Sequence, residues 1–305
     1  MEEDIMKPEP KPTQALSIVR PMDERFTHFI FDFDGTITTK DTINVIANIG
    51  IAHQHNRGKK FTRNWANLVK SYLDEFDNHT EKYIPKPFER TTLEEEIKFQ
   101  RSLKDVELRS FNRVSTSGLF VGISKEQWEH EGKAAVLSGK VEIRRGFKEL
   151  VKEIELRNGV WGIVSVNFSK DFIRGVLEQC LEKRVNIPIL ANSLDEHGII
   201  CGPVLEETGL KTVLATSDTK LSAMLQLLKS WKHDDTAKAV YYGDSPTDLE
   251  CLFDPAVKGV VVGQHGNTDL LRSLLTHKDP QLVETYTRDF DKNALINFEC
   301  TLQNS

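Results

Sequence analysis

The stretch HFIFDFDGT, His28 to Thr36, sets a short run closed by Gly35 against two carboxylates, Asp32 and Asp34, one residue apart. A short continuous apolar run bounded by a turn residue reads as a strand buried on both faces. Paired charges at the end of such a strand need a partner of opposite charge. Residues two apart in a strand share a face, and only the turn at Gly35 lets the second carboxylate swing across the site.

Outward from this strand the chain divides into an N-terminal arm, an α/β core and an insert. Residues 1–24 carry Pro8, Pro10 and Pro12 among charged and polar residues, so a flexible arm is expected. Residues 43–140 hold few strand signals: Trp65, Leu68, Val69, Tyr72, Leu73 and Phe76 mark one helix face, expected to form the insert's own core. The run LEEEIKFQRSLKDVELR reads as a solvated helix face with alternating charge. After the insert, helix and strand alternate. Phe147, Leu150, Val151 and Ile154 predict a helix, GVWGIVSV a strand, Phe172 to Cys180 a helix, IPILAN a strand, Leu221 to Leu228 a helix, and AVYYG and VKGVVVG two strands. Such alternation predicts an α/β fold with a Rossmann-like parallel sheet covered on both faces. The core is expected over 25–42 and 141–290, the α-helical cap over 43–140 and a tail over 291–305.

Composition narrows the partner. Among 305 residues, 40 basic and 46 acidic side chains leave a net charge of −6, no electrostatic footprint for nucleic acid or an anionic membrane. A small molecule is the expected partner, and nothing bears on oligomeric state. The opening MEEDIMKPEPKPTQ has no apolar core of signal-peptide length, no run of about twenty apolar residues occurs, and Cys180, Cys201, Cys251 and Cys300 are scattered without CxxC spacing. A cytoplasmic location is expected.

Ligands of open α/β sheets bind beyond the carboxyl ends of the strands. Four closures carry chemistry there: Asp32-Phe33-Asp34-Gly35-Thr36, Ser165-Val166-Asn167, Lys220 within TSDTKLS, and Gly243-Asp244-Ser245-Pro246-Thr247-Asp248. Carboxylates with one ammonium and one hydroxyl describe a site for Mg²⁺ and a phosphoryl group. Zinc would want His or Cys, and an EF-hand would want glutamate where Ile43 stands. A carboxylate about 4 Å from a phosphate dianion is repelled by roughly 8 kcal/mol at an effective dielectric near 20, so attack needs a cation. With charge offset, one aspartate acts as nucleophile, and its neighbour protonates the leaving oxygen and later activates water. Ser165 offers a hydroxyl to a phosphate oxygen, beside N–H groups of a helix beginning near Ser169. Lys220 falls in the first turn of its helix, though Lys211 lies nearby, and Ser245-Pro246 starts a helix that aims Asp244 and Asp248 at one ion.

FDFDGT, the serine closing GIVSV, the lysine and GDSPTD, in that order, resemble the four motifs of the haloacid dehalogenase superfamily in its phosphatase branch, and the insert resembles the helical cap of phosphoserine phosphatase. The resemblance implies Asp32 as nucleophile, Asp34 as general acid and base, and Mg²⁺ held by Asp32, the Asp34 carbonyl and Asp244, with Asp248 supporting the ion and Lys220. It implies Ser165 and Lys220 on the phosphate. Gly35, Thr36, Val166 and Asn167 complete the expected contacts. Asp41, nine positions after Asp32, matches the acid that meets the substrate amine in phosphoserine phosphatases, and equally an ordinary helix cap. Those enzymes resemble Ser-Gly-Gly where this chain has Ser165-Val166-Asn167, and the valine narrows the space beside the phosphate. The expected activity is hydrolysis of a small phosphorylated metabolite, a sugar, a polyol or a phosphoserine-like compound. A phosphotransferase or mutase of the same chemistry, and a non-catalytic binding protein of the same fold, are the alternatives.

Overall fold

The computed structural model describes residues 26–231, 238–263, 286, 287 and 290. The expected arm over 1–24 and tail over 291–305 lie outside the described residues.

Six parallel strands form the main sheet: β1 (Phe26–Phe31), β2 (Val160–Val164), β3 (Ile189–Leu190), β8 (Lys238–Gly243), β9 (Lys258–Val262) and β10 (Tyr286–Thr287), in the order β10-β9-β8-β1-β2-β3. Two small antiparallel hairpins, β4 (Ser193–Leu194) with β5 (Ile200–Cys201) and β6 (Val204–Leu205) with β7 (Leu210–Lys211), stand between β3 and the next helix. Sequence periodicity gives no sign of them, because two-residue strands are too short to carry a period.

Alternate residues of β1 enter opposite layers. Phe29 and Phe31 join one apolar cluster with Phe147, Trp161, Phe172 and Tyr242, whereas Ile30 joins another with Val164, Met224, Leu227 and Leu252. The first layer is closed by α6 (Phe147–Leu156) and α7 (Lys170–Leu181), the second by α8 (Ser217–Ser230) and α9 (Leu249–Leu252). Covering both faces is what an all-parallel sheet requires. The strand order reverses at β1, with β2 on one side and β8 on the other, so the crevice at their carboxyl ends is the expected ligand position.

Between β1 and α6 run α1 (Ile43–Asn56), α2 (Thr62–Lys82), α3 (Leu93–Ser102), α4 (Lys104–Thr116) and α5 (Lys125–Leu137), with no strand among residues 43–140. The two ends of this insert are tied together. Thr38 bridges Ile143, the Thr39 N–H donates to the Glu142 carbonyl at 2.9 Å, and the Arg144 N–H to the Ile37 carbonyl at 2.7 Å.

Two expectations for the insert are corrected. The stripe on α2 is no core: the helix buries no side chain, Leu73 is 49% exposed, and only Trp65 and Leu68 reach the main cluster, as partly buried residues. Along much of its length the helix meets its neighbours through polar groups: Tyr72 with Glu107 and Glu75 with Arg109 and Arg113 of α4, Trp65 with Asn44 of α1, and His79 with Ser102 of α3. Nor is LEEEIKFQRSLKDVELR one solvated face. It breaks at Leu103 into α3 and α4, and Glu96 is buried against Arg90 (2.7 Å) and the Gln100 amide (2.8 Å). Partners six and four residues away satisfy a charge that periodicity assigns to solvent.

Among the described residues no helix is long and apolar enough to cross a membrane. The insert's last helix docks on the core through glycines. A Cβ on Gly175 of α7 would stand 2.0 Å from the Glu129 carbonyl of α5, and one on Gly132 would stand 2.3 Å from the Phe172 carbonyl. Gly175→Ala therefore forces the two helices apart; a loss of about 2–3 kcal/mol, or roughly 3–5 °C in Tm, is expected in thermal unfolding.

Candidate active site

The Asp32 N–H donates to the Tyr242 carbonyl at 2.8 Å, the last rung between β1 and β8. The chain then turns: Asp34 (φ −71°, ψ 126°) and Gly35 (φ 75°, ψ −17°) take the dihedrals of a type II turn, which needs positive φ at its second position. Gly35 answers a second demand as well. A Cβ there would lie 2.1 Å from a carboxylate oxygen of Asp244, so the glycine lets the loop after β8 close on the loop after β1. The Thr36 hydroxyl donates to Asp244 Oδ1 at 2.8 Å across that gap. From beneath, the buried Arg144 donates through Nε to the Thr36 carbonyl (2.8 Å) and through Nη2 to the Gly35 carbonyl.

Lys220 joins the two loops from a third direction. It sits in the first turn of α8, fully buried, with Nζ 2.9 Å from Asp32 Oδ1 and 2.6 Å from Asp248 Oδ1. Asp248 is engaged on both oxygens. Its Oδ1 also accepts the Tyr241 hydroxyl at 2.6 Å, and its Oδ2 accepts the Asp244 N–H (3.2 Å), the Ser245 N–H (3.0 Å) and the Ser245 hydroxyl (2.9 Å). Lys211, by contrast, is exposed on β7, so Lys220 is the lysine of the site.

Asp34 faces a separate set of partners. Its Oδ1 accepts the Thr42 N–H (2.8 Å) and hydroxyl (2.6 Å), and its Oδ2 accepts the Asn167 amide at 2.7 Å. Ser165, closing β2, is fully buried and its Oγ accepts the Asn167 N–H at 3.2 Å. Val166 is half-buried, and Ser169 caps α7 by accepting the Phe172 N–H at 3.1 Å. Asp41 is exposed and accepts the Ile43 N–H at 2.6 Å, the capping role.

Burial is the first cause of every shifted carboxylate here. It raises the Asp32 pKa well above the usual range, with Asp248 adding and Lys220 opposing. It lifts Asp244 to about 7, Asp248 again adding, and Asp34 to about 6, with Asp41 adding and the Thr42 and Asn167 hydrogen bonds opposing. Burial pulls Lys220 down, but Asp248 and Asp32 more than offset it and its pKa rises. It therefore stays an ammonium.

Asp32, Asp244 and Asp248 each bring an oxygen within 4.8 Å of the others, the one such cluster among the described residues. The three carboxylates meet a single ammonium, and their mutual repulsion adds to burial in raising Asp32 and Asp244. An all-oxygen donor set without His or Cys fits Mg²⁺ and does not fit zinc. His53 and His55 belong to no such cluster among the described residues.

The four sequence closures are thus brought to one place, and four further residues of the site lie outside the motifs. Thr42 and Asn192 carry a usable signal. Thr42 adjoins the helix start, and Asn192 ends IPILAN, at the carboxyl end of β3, where its amide bonds the carbonyls of Val166, Asn167 and Leu214 at 2.9 to 3.1 Å. Tyr241 reads in the sequence as sheet packing only; its ring does pack there, but its hydroxyl reaches Asp248. Arg144 has no sequence signal, since its partners are carbonyls more than a hundred residues earlier.

The family model for haloacid dehalogenase-like hydrolases matches residues 29–252, and the chain belongs to that family. It is 26% identical over 260 residues to cold tolerance protein 1 of Saccharomyces cerevisiae, covering 77% of this chain and 78% of that one. A structure of a protein of unknown function from Bordetella pertussis Tohama I shares the fold, with TM-score 0.50 and 12% identity over 83% of this chain and 96% of that one. A substrate-bound phosphoserine phosphatase aligns with TM-score 0.43 and 18% identity, over 79% and 87% of the two chains.

Asp248→Ala would take from Lys220 one of its two carboxylates and leave the Tyr241 hydroxyl and the Asp244 and Ser245 N–H groups without this acceptor. A loss of about 3–5 kcal/mol is expected from the broken buried pair, read as the shift in the urea midpoint.

Proposed function

We propose that the protein is a Mg²⁺-dependent phosphomonoester hydrolase of small phosphorylated metabolites, acting in the cytoplasm through an aspartyl-phosphate on Asp32. The observation that carries this is the division of labour between two neighbouring aspartates: Asp32 lies against Lys220 in the carboxylate cluster, and Asp34, across the Gly35 turn, has hydrogen-bond partners of its own.

Asp32, Asp244 and the Asp34 carbonyl would hold the ion, with Asp248 behind them. When bound, Mg²⁺ polarises the phosphoryl group and offsets the roughly 8 kcal/mol of repulsion between Asp32 and a phosphate dianion at about 4 Å. Lys220 adds positive charge on the same side and orients Asp32. Ser165, whose oxygen accepts the Asn167 N–H, keeps its proton for a phosphate oxygen. The N–H groups expected at the start of α7 are committed elsewhere: Lys170 donates to the Asn192 carbonyl at 2.7 Å and Phe172 to the Ser169 hydroxyl at 3.1 Å. The Asp32 oxygen attacks phosphorus, Asp34 gives its proton to the departing alcohol oxygen, and water then releases phosphate from Asp32 with Asp34 taking the proton back. Helices α1 to α5 form a cap that limits water access, and Val166 narrows the pocket beside the phosphate.

The test is phosphate release from a panel of phosphorylated sugars, polyols, amino acids and nucleotides. Release that needs Mg²⁺, stops with a chelator and falls at least a thousandfold in Asp32→Asn, which stays folded because Asp248 still pairs Lys220, is expected. Transfer to sugar acceptors in preference to water would point to a phosphotransferase instead. Val166→Gly is expected to broaden the substrate profile; an unchanged profile would remove Val166 from the pocket wall.

A further inference from the structure

The sequence places Asn167 on the phosphate, yet its side chain is committed elsewhere. It is 5% exposed, and its orientation is set by the protein: Oδ1 accepts the Ser169 N–H at 3.0 Å, so the NH₂ must face the other way. That NH₂ donates to Asp34 Oδ2 at 2.7 Å and to Thr42 Oγ1 at 3.1 Å, and the Thr42 hydroxyl donates to Asp34 Oδ1 at 2.6 Å. The three side chains close a ring in which every proton has a use. The backbone under it is fixed as well, since the fully buried Asn192 amide holds the carbonyls of Val166 and Asn167.

We propose that Asn167 is a positioning residue for Asp34, completing with Thr42 a clamp that serves the water-activating half of the reaction, and that it is not a phosphate ligand. The inference rests on the phosphatase reading above. In this half, the water oxygen bonds to phosphorus while the bond from phosphorus to the Asp32 oxygen breaks. That oxygen keeps the electron pair, and the water proton passes to Asp34. Each contact to the Asp34 carboxylate comes from a donor, which suits a carboxylate that must receive a proton in one fixed direction. A displacement of about 1 Å at such a group costs on the order of a hundredfold in rate. The first half depends less on the clamp when the leaving group needs no proton.

p-Nitrophenyl phosphate separates the halves, because its leaving group departs as the anion. The variants are Asn167→Asp, which keeps the acceptor for the Ser169 N–H and replaces the donor to Asp34, and Thr42→Val, with Thr42→Ser as the conservative rescue. In stopped flow with Mg²⁺, Asn167→Asp and Thr42→Val are expected to release the first equivalent of p-nitrophenolate within about threefold of the wild-type rate. Their steady-state rate should then fall by a factor of 10 to 100, so that a burst near one equivalent appears while KM falls. Thr42→Ser should restore the steady state to within a few-fold. A KM rise above about tenfold without a burst would make Asn167 a phosphate ligand and overturn the proposal. An unchanged kcat in both variants would overturn it too. Should Asn167→Asp fail to fold, the Thr42 pair decides alone by the same criteria. No release by the wild type from any phosphate ester would remove the phosphatase reading and this inference together, whereas wild-type turnover with burst-free variants removes only the inference.

Discussion

A fully buried ammonium holds this site together. Lys220 has no exposure to water, and an isolated charge so placed would cost several kcal/mol, so its two carboxylates are a condition of its burial. Meeting that condition binds three parts of the chain. Asp32 ends β1, Asp248 stands one turn past the end of β8, and Lys220 starts α8. Asp248 in turn anchors the backbone of Asp244 and Ser245 and the Tyr241 hydroxyl, so the loop after β8 is shaped by the group that pairs with the lysine. Asp244 completes the carboxylate cluster with no ammonium of its own, beside Asp32 at the end of β1, where the strand order reverses. The structural ion pair and the cluster that could hold a cation share Asp32 and Asp248.

The second aspartate belongs to a different mechanical unit. Asp34 is held by Thr42, at the entrance to the helical insert, and by Asn167, at the end of β2. The turn that carries it is braced by Arg144, where the chain leaves the insert, and the two linkers bridge each other at Thr38 and Ile143. The insert is therefore joined to the core at the residues that orient Asp34. It is fastened elsewhere too, through the Gly132 and Gly175 contact of α5 with α7 and through Arg101 of α3 with Glu250 of α9.

Much of the core is legible because buried parallel strands and the helices between them have strong periods. Each strand expected from HFIF, GVWGIVSV, IPILAN, AVYYG and VKGVVVG is present, as are α6, α7 and α8. The insert is less legible. Its helical character follows from the sequence, but the stripe of α2 buries no side chain, and Glu96, which looks like a surface charge, is buried because Arg90 and Gln100 come to it. Periodicity reports that a face exists, not what lies opposite it.

The sequence by itself determined the chemistry available at the strand ends: Asp32, Asp34, Ser165, Lys220, Asp244 and Asp248 are recognisable because charge at the end of an apolar run, beside a turn residue or a helix start, is costly to place unless a counter-charge or a ligand meets it. Only the tertiary structure decided how those groups are shared out. It chose Lys220 over Lys211 by burial, bound Asp248 to the lysine on one oxygen and to the loop on the other, and turned Asn167 toward Asp34. It also brought in Arg144 and Tyr241, whose side chains carry no local pattern. The reason is physical: a residue's type and neighbours fix which hydrogen bonds and charges it can offer, while the partner that accepts them is set by packing between segments more than a hundred residues apart.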